Sequence, residues 1–237
     1  MRPTPDLVAS LCAYAVEGGL DGRYQPATIF NPLIALGRLT PPSEALSLWD
    51  TYEEVLTAAA AVGVRNIRLE VSWARLEPHR GQINEAAFAR YRSVIDAARA
   101  RGLTIEIAAC DGAWPSWLGM EPLLWPWTHP VAKAHLARVA GECDQADGVI
   151  FLARPDQLAQ GYTVASGPPW RRRAHEDALE VTASYQRIVL EATAAGWLRP
   201  LFSSDQPERA LLGGVGPLAR SNALLHRVSG EWRPTAS

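Results

Sequence analysis

The stretch IRLEVSW at residues 67–73 alternates apolar and polar side chains, which is the period of two expected of a β-strand. A helical pattern precedes it, because apolar residues recur at i, i+3, i+4 and i+7 from Tyr52 to Ala59, and Gly63 is suited to end that helix. A second helical pattern follows at residues 84–102, and LTIEIAAC at residues 103–110 reads as the next strand. This alternation predicts parallel βα units.

The same alternation continues toward the C-terminus. After a Trp- and Pro-rich segment at residues 114–130, we expect a helix from about Pro130, which suits the first helical position, to near Cys143. GVIFLARP at residues 148–155 is a third strand in this pattern, and a long helix follows it to about Gly196. LRPLF at residues 198–202 is a candidate for one more strand. The chain therefore belongs to the α/β class.

The length limits how many such units fit. A βαβ unit takes roughly 30 or more residues, and only 35 of the 237 residues follow Phe202. We therefore predict a partial TIM-type (β/α) barrel of about four to five βα units, in a single domain over residues 1–237. Residues 198–237 are expected to form an irregular or helical tail, with one helix over residues 217–228.

The composition excludes several classes of protein. A net charge of −2 and a pI near 6.2 give no overall attraction to nucleic acid. No apolar stretch approaches the roughly 20 residues that span a bilayer. The three cysteines and five histidines lack the spacings of disulfide frameworks or metal sites, so we expect no metal and no cofactor in a reduced, cytoplasmic protein.

Five segments resemble a known family. AYAVEGG at residues 13–19, DGR at 21–23, GVRNIRLEVSWARLEP at 63–78, RGQIN at 80–84 and GLTIEIAACDGAWPSWL at 102–118 are similar to the first half of family 1 glycoside hydrolases, the β-glucosidase-like retaining enzymes. The resemblance runs in order from residue 11 to about 196. It implies a (β/α) barrel with its site at the C-terminal ends of the strands.

The catalytic motif of that family is degenerate here. Retaining hydrolysis uses two carboxyl groups about 5–5.5 Å apart, and the resemblance places the acid in an Asn-Glu-Pro motif that corresponds to Ala153, Arg154 and Pro155. A guanidinium cannot act as a general acid, because its pKa stays above about 12. The family's nucleophile belongs to a seventh strand, for which this chain has no room. The resemblance therefore implies that two-carboxylate glycosidase activity is lost.

Positions that hold the sugar in the family have also changed. The resemblance places Ala15 where the family has Gln, and Asp111 where it has His. Framework positions persist, namely Arg68, Trp73, Arg75 and Pro78.

Polar residues at the strand ends are the candidates for catalysis. Asp111 follows a strand and is suited to act as a base or to bind a cation, whereas Arg154 is suited to pair with Asp111 or to bind an anion. Glu70 is the third candidate. Each of the three candidates could instead have a purely structural role. Asp111 and Arg154 could simply pair with each other. Glu70 and Arg68 face the same side of one strand, and Glu106 is expected to join an ion-pair network with them.

Other residues are candidates for ligand contact. Aromatic faces suit sugars, and four indoles fall within residues 114–127, although Trp is also a common core residue. The predicted ligand-binding residues are Arg68, Trp73, Trp114, Trp117, Glu17 and Tyr162, of which Glu17 equally fits a framework turn.

Three functions remain open from the sequence. The chain could bind a small molecule, such as a sugar or glycosylated metabolite, as a binding or accessory protein. It could instead be a repurposed enzyme in which Asp111 is the base, Arg154 stabilises an anion and Glu70 assists. It could also be a structural subunit, since a partial barrel leaves a sheet edge that a second copy or a partner chain would cover.

Overall fold

A computed structural model of the chain describes residues 8–18, 27–39, 47–110, 112–165 and 167–202. Strands and helices alternate through these residues, as the sequence pattern predicts. The elements are β1 (Val8–Cys12), α1 (Ala13–Val16), α2 (Asn31–Ala35), α3 (Leu48–Ala61), β2 (Asn66–Glu70), α4 (Trp73–Leu76), α5 (Glu85–Ala100), β3 (Thr104–Cys110), α6 (Thr128–Glu142), β4 (Gly148–Leu152), α7 (Asp156–Thr163) and α8 (His175–Ala194).

The four strands form one parallel sheet in the order β1-β2-β3-β4. Ser10 pairs with Arg68, Arg68 with Glu106, and Glu106 with Gly148, so these four residues form one row across the sheet. Neighbouring strands are consecutive in sequence and joined through helices, which is the connectivity of a (β/α) barrel. The partial-barrel prediction is confirmed.

Alternation along the strands separates the two faces of the sheet. Ile67, Ile105 and Val149 point to one face and are at most 1% exposed. Helix α5 contacts β3 and contributes Phe88 and Ile95, which are fully buried. The opposite face, which we call the inner face, carries the Ser10, Arg68, Glu106 and Gly148 row.

The helix boundaries follow local signals in the sequence. Asn84 caps α5 with a 3.1 Å hydrogen bond in which its side-chain oxygen accepts from the amide of Ala87. The same helix ends before Gly102, whose φ of 68° lies in the left-handed region that glycine tolerates best. The strand predicted over residues 67–73 ends at Glu70, because Ser72 caps the short helix that begins at Trp73.

The described residues cluster into two compact units. The first contains the sheet and comprises the described residues of 8–120 together with 135–153 and 197–202. The second comprises residues 121–134 and the described residues of 154–196, where α7 packs against α8. The single-domain prediction for residues 1–237 stays a prediction.

Residues 198–202 do not add a parallel strand to the sheet. Arg199 forms one antiparallel bridge with Val149, and the sheet has four strands among the described residues. The helix predicted over residues 217–228 lies outside the described residues. None of the described helices is long and apolar enough to cross a membrane.

Candidate active-site region at the strand ends

The C-terminal ends of the strands are where a (β/α) barrel places its chemistry. In the first unit, the chain segments that follow β1, β2 and β3 carry an ion-pair cluster and an aromatic cluster. Both clusters are built from residues of the segments that resemble family 1 glycoside hydrolases, together with side chains from α3, α5 and α6.

Glu17 is the centre of the ion-pair cluster. Its carboxylate is only 2% exposed and accepts hydrogen bonds from Arg75 Nε at 2.8 Å and from the Tyr91 hydroxyl at 2.8 Å. Tyr91 in turn accepts the backbone amide of Ser72 at 2.9 Å. The Arg75 guanidinium also donates to the carbonyl of Gly18 and lies 4.2 Å from the centre of the Trp49 ring. This cluster ties the segment after β1 to α4 and α5.

Burial controls the protonation of Glu17. Desolvation raises the pKa of its carboxyl group to about 7, and it outweighs the opposing effects of the Arg75 charge and of the hydrogen bonds from Tyr91 and Arg75. The same burial, with the neighbouring Glu17 charge, raises the pKa of Tyr91. Glu17 is therefore the group of this cluster that changes charge near neutral pH.

Trp73 lies at the centre of the aromatic cluster. Its ring stacks on the His135 ring with 3.9 Å between centroids and 7° between planes. Trp114 and Trp117 approach the same indole edge-on, at 6.0 Å and 6.2 Å. Trp73 and Trp114 are 1% and 4% exposed, whereas Trp117 is partly exposed. Of these three indoles, Trp117 thus has the most surface left for a ligand.

Two buried polar side chains hold the aromatic cluster in place. Glu77 accepts the Trp73 indole N–H at 3.1 Å, and its backbone carbonyl accepts that of Trp117 at 2.9 Å. His135 Nε2 lies 2.7 Å from the carbonyl oxygen of Ala109. Because desolvation lowers the pKa of His135 to about 4, the ring is neutral at pH 7, and Nε2 carries the proton that it donates to this carbonyl.

The inner face of the sheet carries a second ion pair. Arg68 Nε lies 2.6 Å from Glu106 Oε2, and their side chains are 13% and 0% exposed. Glu70, in contrast, accepts a 2.7 Å hydrogen bond from the Ser10 hydroxyl. The network that the sequence suggested among Arg68, Glu70 and Glu106 therefore divides, with Arg68 pairing with Glu106.

The residues after β4 differ from those after β2. Ala153 is partly exposed and Arg154 is exposed. Among the described residues, the Arg154 side chain forms no hydrogen bond or ion pair. Asp111 lies outside the described residues, so its suggested pairing with Arg154 stays a prediction.

Tyr162 belongs to the second unit and lies on α7. It is 2% exposed, and burial raises its pKa. The Arg171 guanidinium lies 5.9 Å from its ring centre and forms ion pairs with Glu121 and Asp177. In the same unit, Trp125 and Trp127 are 50% and 42% exposed.

Sequence reasoning did not single out Tyr91, Glu77 and His135 for the site. Each lies in a helix or a turn, where the sequence pattern does not indicate which residue its polar side chain will contact. The alternation in residues 67–73 predicted that Trp73 ends a strand, whereas in the structure Trp73 begins α4. Among the described residues, no three His, Cys, Asp or Glu side chains are grouped as metal ligands would be.

Comparisons with known proteins find sequence similarity to glycoside hydrolases. A sequence profile described as beta-galactosidase, glycoside hydrolase family 42, matches residues 47–122. The chain is 35% identical over 216 residues to beta-glucosidase 6 of Oryza sativa subsp. japonica, covering 82% of this chain and 41% of that protein. It is 24% identical over 208 residues to 6-phospho-beta-glucosidase AscB of Escherichia coli (strain K12), covering 84% and 42%.

Solved structures give the same fold. The AHE enzyme from Alicyclobacillus herbarius superposes with a TM-score of 0.74 at 18% identity, covering 97% of this chain and 57% of that one. The rice Os3BGlu6 beta-glucosidase superposes with a TM-score of 0.68 at 22% identity, covering 81% and 45%. The chain spans about two-fifths of the length of the two curated relatives named above. It is thus a glycoside hydrolase-like protein with a partial (β/α) barrel that corresponds to the N-terminal part of β-glucosidase-type enzymes.

Proposed function

We propose that this glycoside hydrolase-like chain does not hydrolyse glycosides with two carboxylates and instead acts as a small-ligand-binding or accessory protein. The observation that carries the proposal is Arg154, an exposed guanidinium at the position that matches the family's general acid. A guanidinium holds its proton at every pH at which proteins are folded, so it cannot protonate a leaving oxygen.

The state of the inward-facing carboxylates supports the same proposal. Glu106 is fully buried in its ion pair with Arg68, and Glu70 is 5% exposed and bonded to Ser10. Glu17 is bonded to Arg75 and Tyr91. Each of these carboxylates makes structural contacts, which leaves little freedom for a paired acid and nucleophile.

We propose a sugar or a glycosylated metabolite as the ligand. The support is the packed segments after β2 and β3. There the partly exposed Trp117 indole is held by the hydrogen bond that its N–H donates to the Glu77 carbonyl. An indole held in this way offers an apolar face with a fixed orientation. We also propose a cytoplasmic location, since three widely separated cysteines without CxxC spacing do not form the framework of a disulfide-stabilised secreted protein.

The test combines an activity assay with a binding assay. Wild-type protein should release no p-nitrophenol from p-nitrophenyl β-glucoside or β-galactoside, while simple sugars should quench tryptophan fluorescence in the wild type and not in Trp117→Ala. Trp170→Ala is the matched control, because Trp170 is a partly exposed indole outside the candidate segment at residues 114–127. Turnover of either glycoside by wild-type protein would refute the proposal, and unchanged quenching in Trp117→Ala would refute the assigned contact.

A repurposed enzyme is the second candidate function. Its support is that the Arg154 guanidinium is exposed and has no carboxylate partner among the described residues, so it is free to bind an anionic substrate. In this candidate, Asp111 is the base. Asp111→Ala should then abolish an activity found by substrate screening and leave the circular dichroism spectrum unchanged.

A further inference from the structure

The segment Trp197–Phe202, which we call the strap, contacts the edge strand β4 and the inner face of the sheet. The amide of Arg199 donates to the carbonyl of Val149 at 2.8 Å, and the amide of Val149 donates back at 3.0 Å. This reciprocal pair is antiparallel, whereas the sheet itself is parallel. The strap therefore uses backbone groups of β4 that a fifth parallel strand of a barrel would otherwise use.

A buried carboxylate fastens the next part of the strap. Glu106 Oε1 accepts the amides of Leu201 at 2.8 Å and Phe202 at 3.2 Å, while its other oxygen is bound by Arg68. The Arg68 guanidinium also lies 5.9 Å from the centre of the Phe202 ring. Hydrogen bonds to an ionised carboxylate are stronger than neutral ones, and Glu106 is fully buried. Arg68 on β2 and the strap amides thus bind the Glu106 carboxylate jointly, one partner set at each oxygen.

The absence of a side chain at Gly148 makes room for the strap. A Cβ at this position would lie 2.8 Å from the carbonyl oxygen of Arg199 and 2.9 Å from Leu201 Cβ. Both distances are shorter than the van der Waals contact distance of non-bonded atoms, so any larger residue at position 148 would push the strap away. Gly148 shares its row with Glu106, and the two residues hold the strap from adjacent strands.

We propose that the strap closes the β4 edge from within the chain, so that no second half-barrel, whether another copy or a different chain, pairs there. The unpaired edge of a parallel sheet is normally a template for association. Here the edge bonds at Val149 are already made, and on the inner face Leu201 lies beside Gly148 while the Phe202 ring lies near Arg68. The chain is therefore self-contained at this edge and remains a monomer with respect to it.

The experiment is residue-resolved hydrogen–deuterium exchange combined with light scattering. In wild-type protein, the amides of Arg199, Leu201 and Phe202 should exchange slowly, and the protein should scatter as a monomer. Gly148→Ala should speed exchange of these amides by roughly tenfold or more and should produce concentration-dependent association. Gly141→Ala is the matched control, because a Cβ at Gly141 on α6 meets nothing within 4 Å.

A second variant keeps the test decisive if Gly148→Ala fails to fold. Arg199→Pro removes the backbone N–H that donates to the Val149 carbonyl and changes no residue of the four strands. It should therefore detach the strap from β4 and leave the circular dichroism spectrum unchanged. Unprotected strap amides in the wild type, or a wild-type dimer that protects β4 across its interface, would overturn the proposal. Slow exchange that persists in the strap-releasing variants would overturn it as well.

Discussion

The segments that follow β2 and β4 show how differently two strand ends of one parallel sheet can compare with a family motif. After β2, Trp73 is 1% exposed, and Arg75 is held by Glu17 and by the Trp49 ring. After β4, Arg154 is exposed, and its side chain forms no hydrogen bond or ion pair among the described residues. The first of these segments is packed, while the second carries Arg154, which the resemblance places where the family has its acid.

The largest expected effect is on Trp73. Trp73→Ala removes the indole that His135, Trp114 and Trp117 contact, and it leaves a cavity at the end of the sheet. The free energy of unfolding should fall by about 3–5 kcal/mol, as for other buried aromatic truncations. Urea denaturation followed by circular dichroism measures this. A loss below about 1 kcal/mol would mean that the segment after β2 is not a packed framework.

Glu17 should dominate a pH dependence of stability. Its pKa is about 7 in the folded protein against 4.5 as the ordinary value, so the folded state keeps a proton that the unfolded state has lost between these pH values. The contribution is therefore fully present below pH 4.5 and is lost as the pH rises through 7. The difference in pKa corresponds to about 3 kcal/mol.

Glu17→Gln isolates this contribution. The variant carries no titrating group at this position, so its stability relative to the wild type should rise by about 3 kcal/mol from pH 4.5 to pH 8. Urea denaturation at intervals across this range gives the comparison. A constant difference between the two proteins would show that Glu17 titrates normally and that the segment after β1 is more hydrated than its contacts indicate.

His135→Phe should have a smaller effect at neutral pH. Phenylalanine retains a ring to stack on Trp73 but leaves the carbonyl of Ala109 without its 2.7 Å partner. The expected loss is about 1–2 kcal/mol at pH 8. Because burial lowers the pKa of His135 from 6.5 to about 4, the unfolded wild type binds a proton first as the pH falls below 6.5. The difference in the free energy of unfolding between the wild type and the variant should therefore shrink in acid. Urea denaturation of both proteins at pH 8 and pH 4.5 measures this.

The sequence predicted the sheet more completely than the clusters at its end. Period-two alternation in residues 67–70 and helical stripes with Asn84 and Gly102 as boundaries are local signals, and the structure confirms them. Contacts such as Tyr91 with Glu17 join residues 74 positions apart and depend on the packing of α5, which no local pattern encodes. The partner of Arg68 was equally hidden, since Glu106 and Glu70 both lie near it on the inner face.

The strap is a second place where the local sequence pattern does not encode long-range contacts. LRPLF has the composition of a strand, and Arg199 does pair with β4. Its direction is set by Glu106 and by the missing side chain of Gly148, which are distant in sequence. The pattern therefore suggested a further strand where the structure has a single antiparallel bridge.

The smallest expected effect on stability is at Arg154. Arg154→Ala removes an exposed side chain that forms no hydrogen bond or ion pair among the described residues, so the free energy of unfolding should change by less than about 0.5 kcal/mol. Arg154→Glu restores a carboxyl group at the position that matches the family's acid, yet it supplies no nucleophile. Hydrolysis of p-nitrophenyl β-glucoside should therefore remain undetectable in both variants. Activity gained by Arg154→Glu would mean that a second carboxylate of this chain already serves as nucleophile, and that Arg154 alone separates this chain from the hydrolytic enzymes.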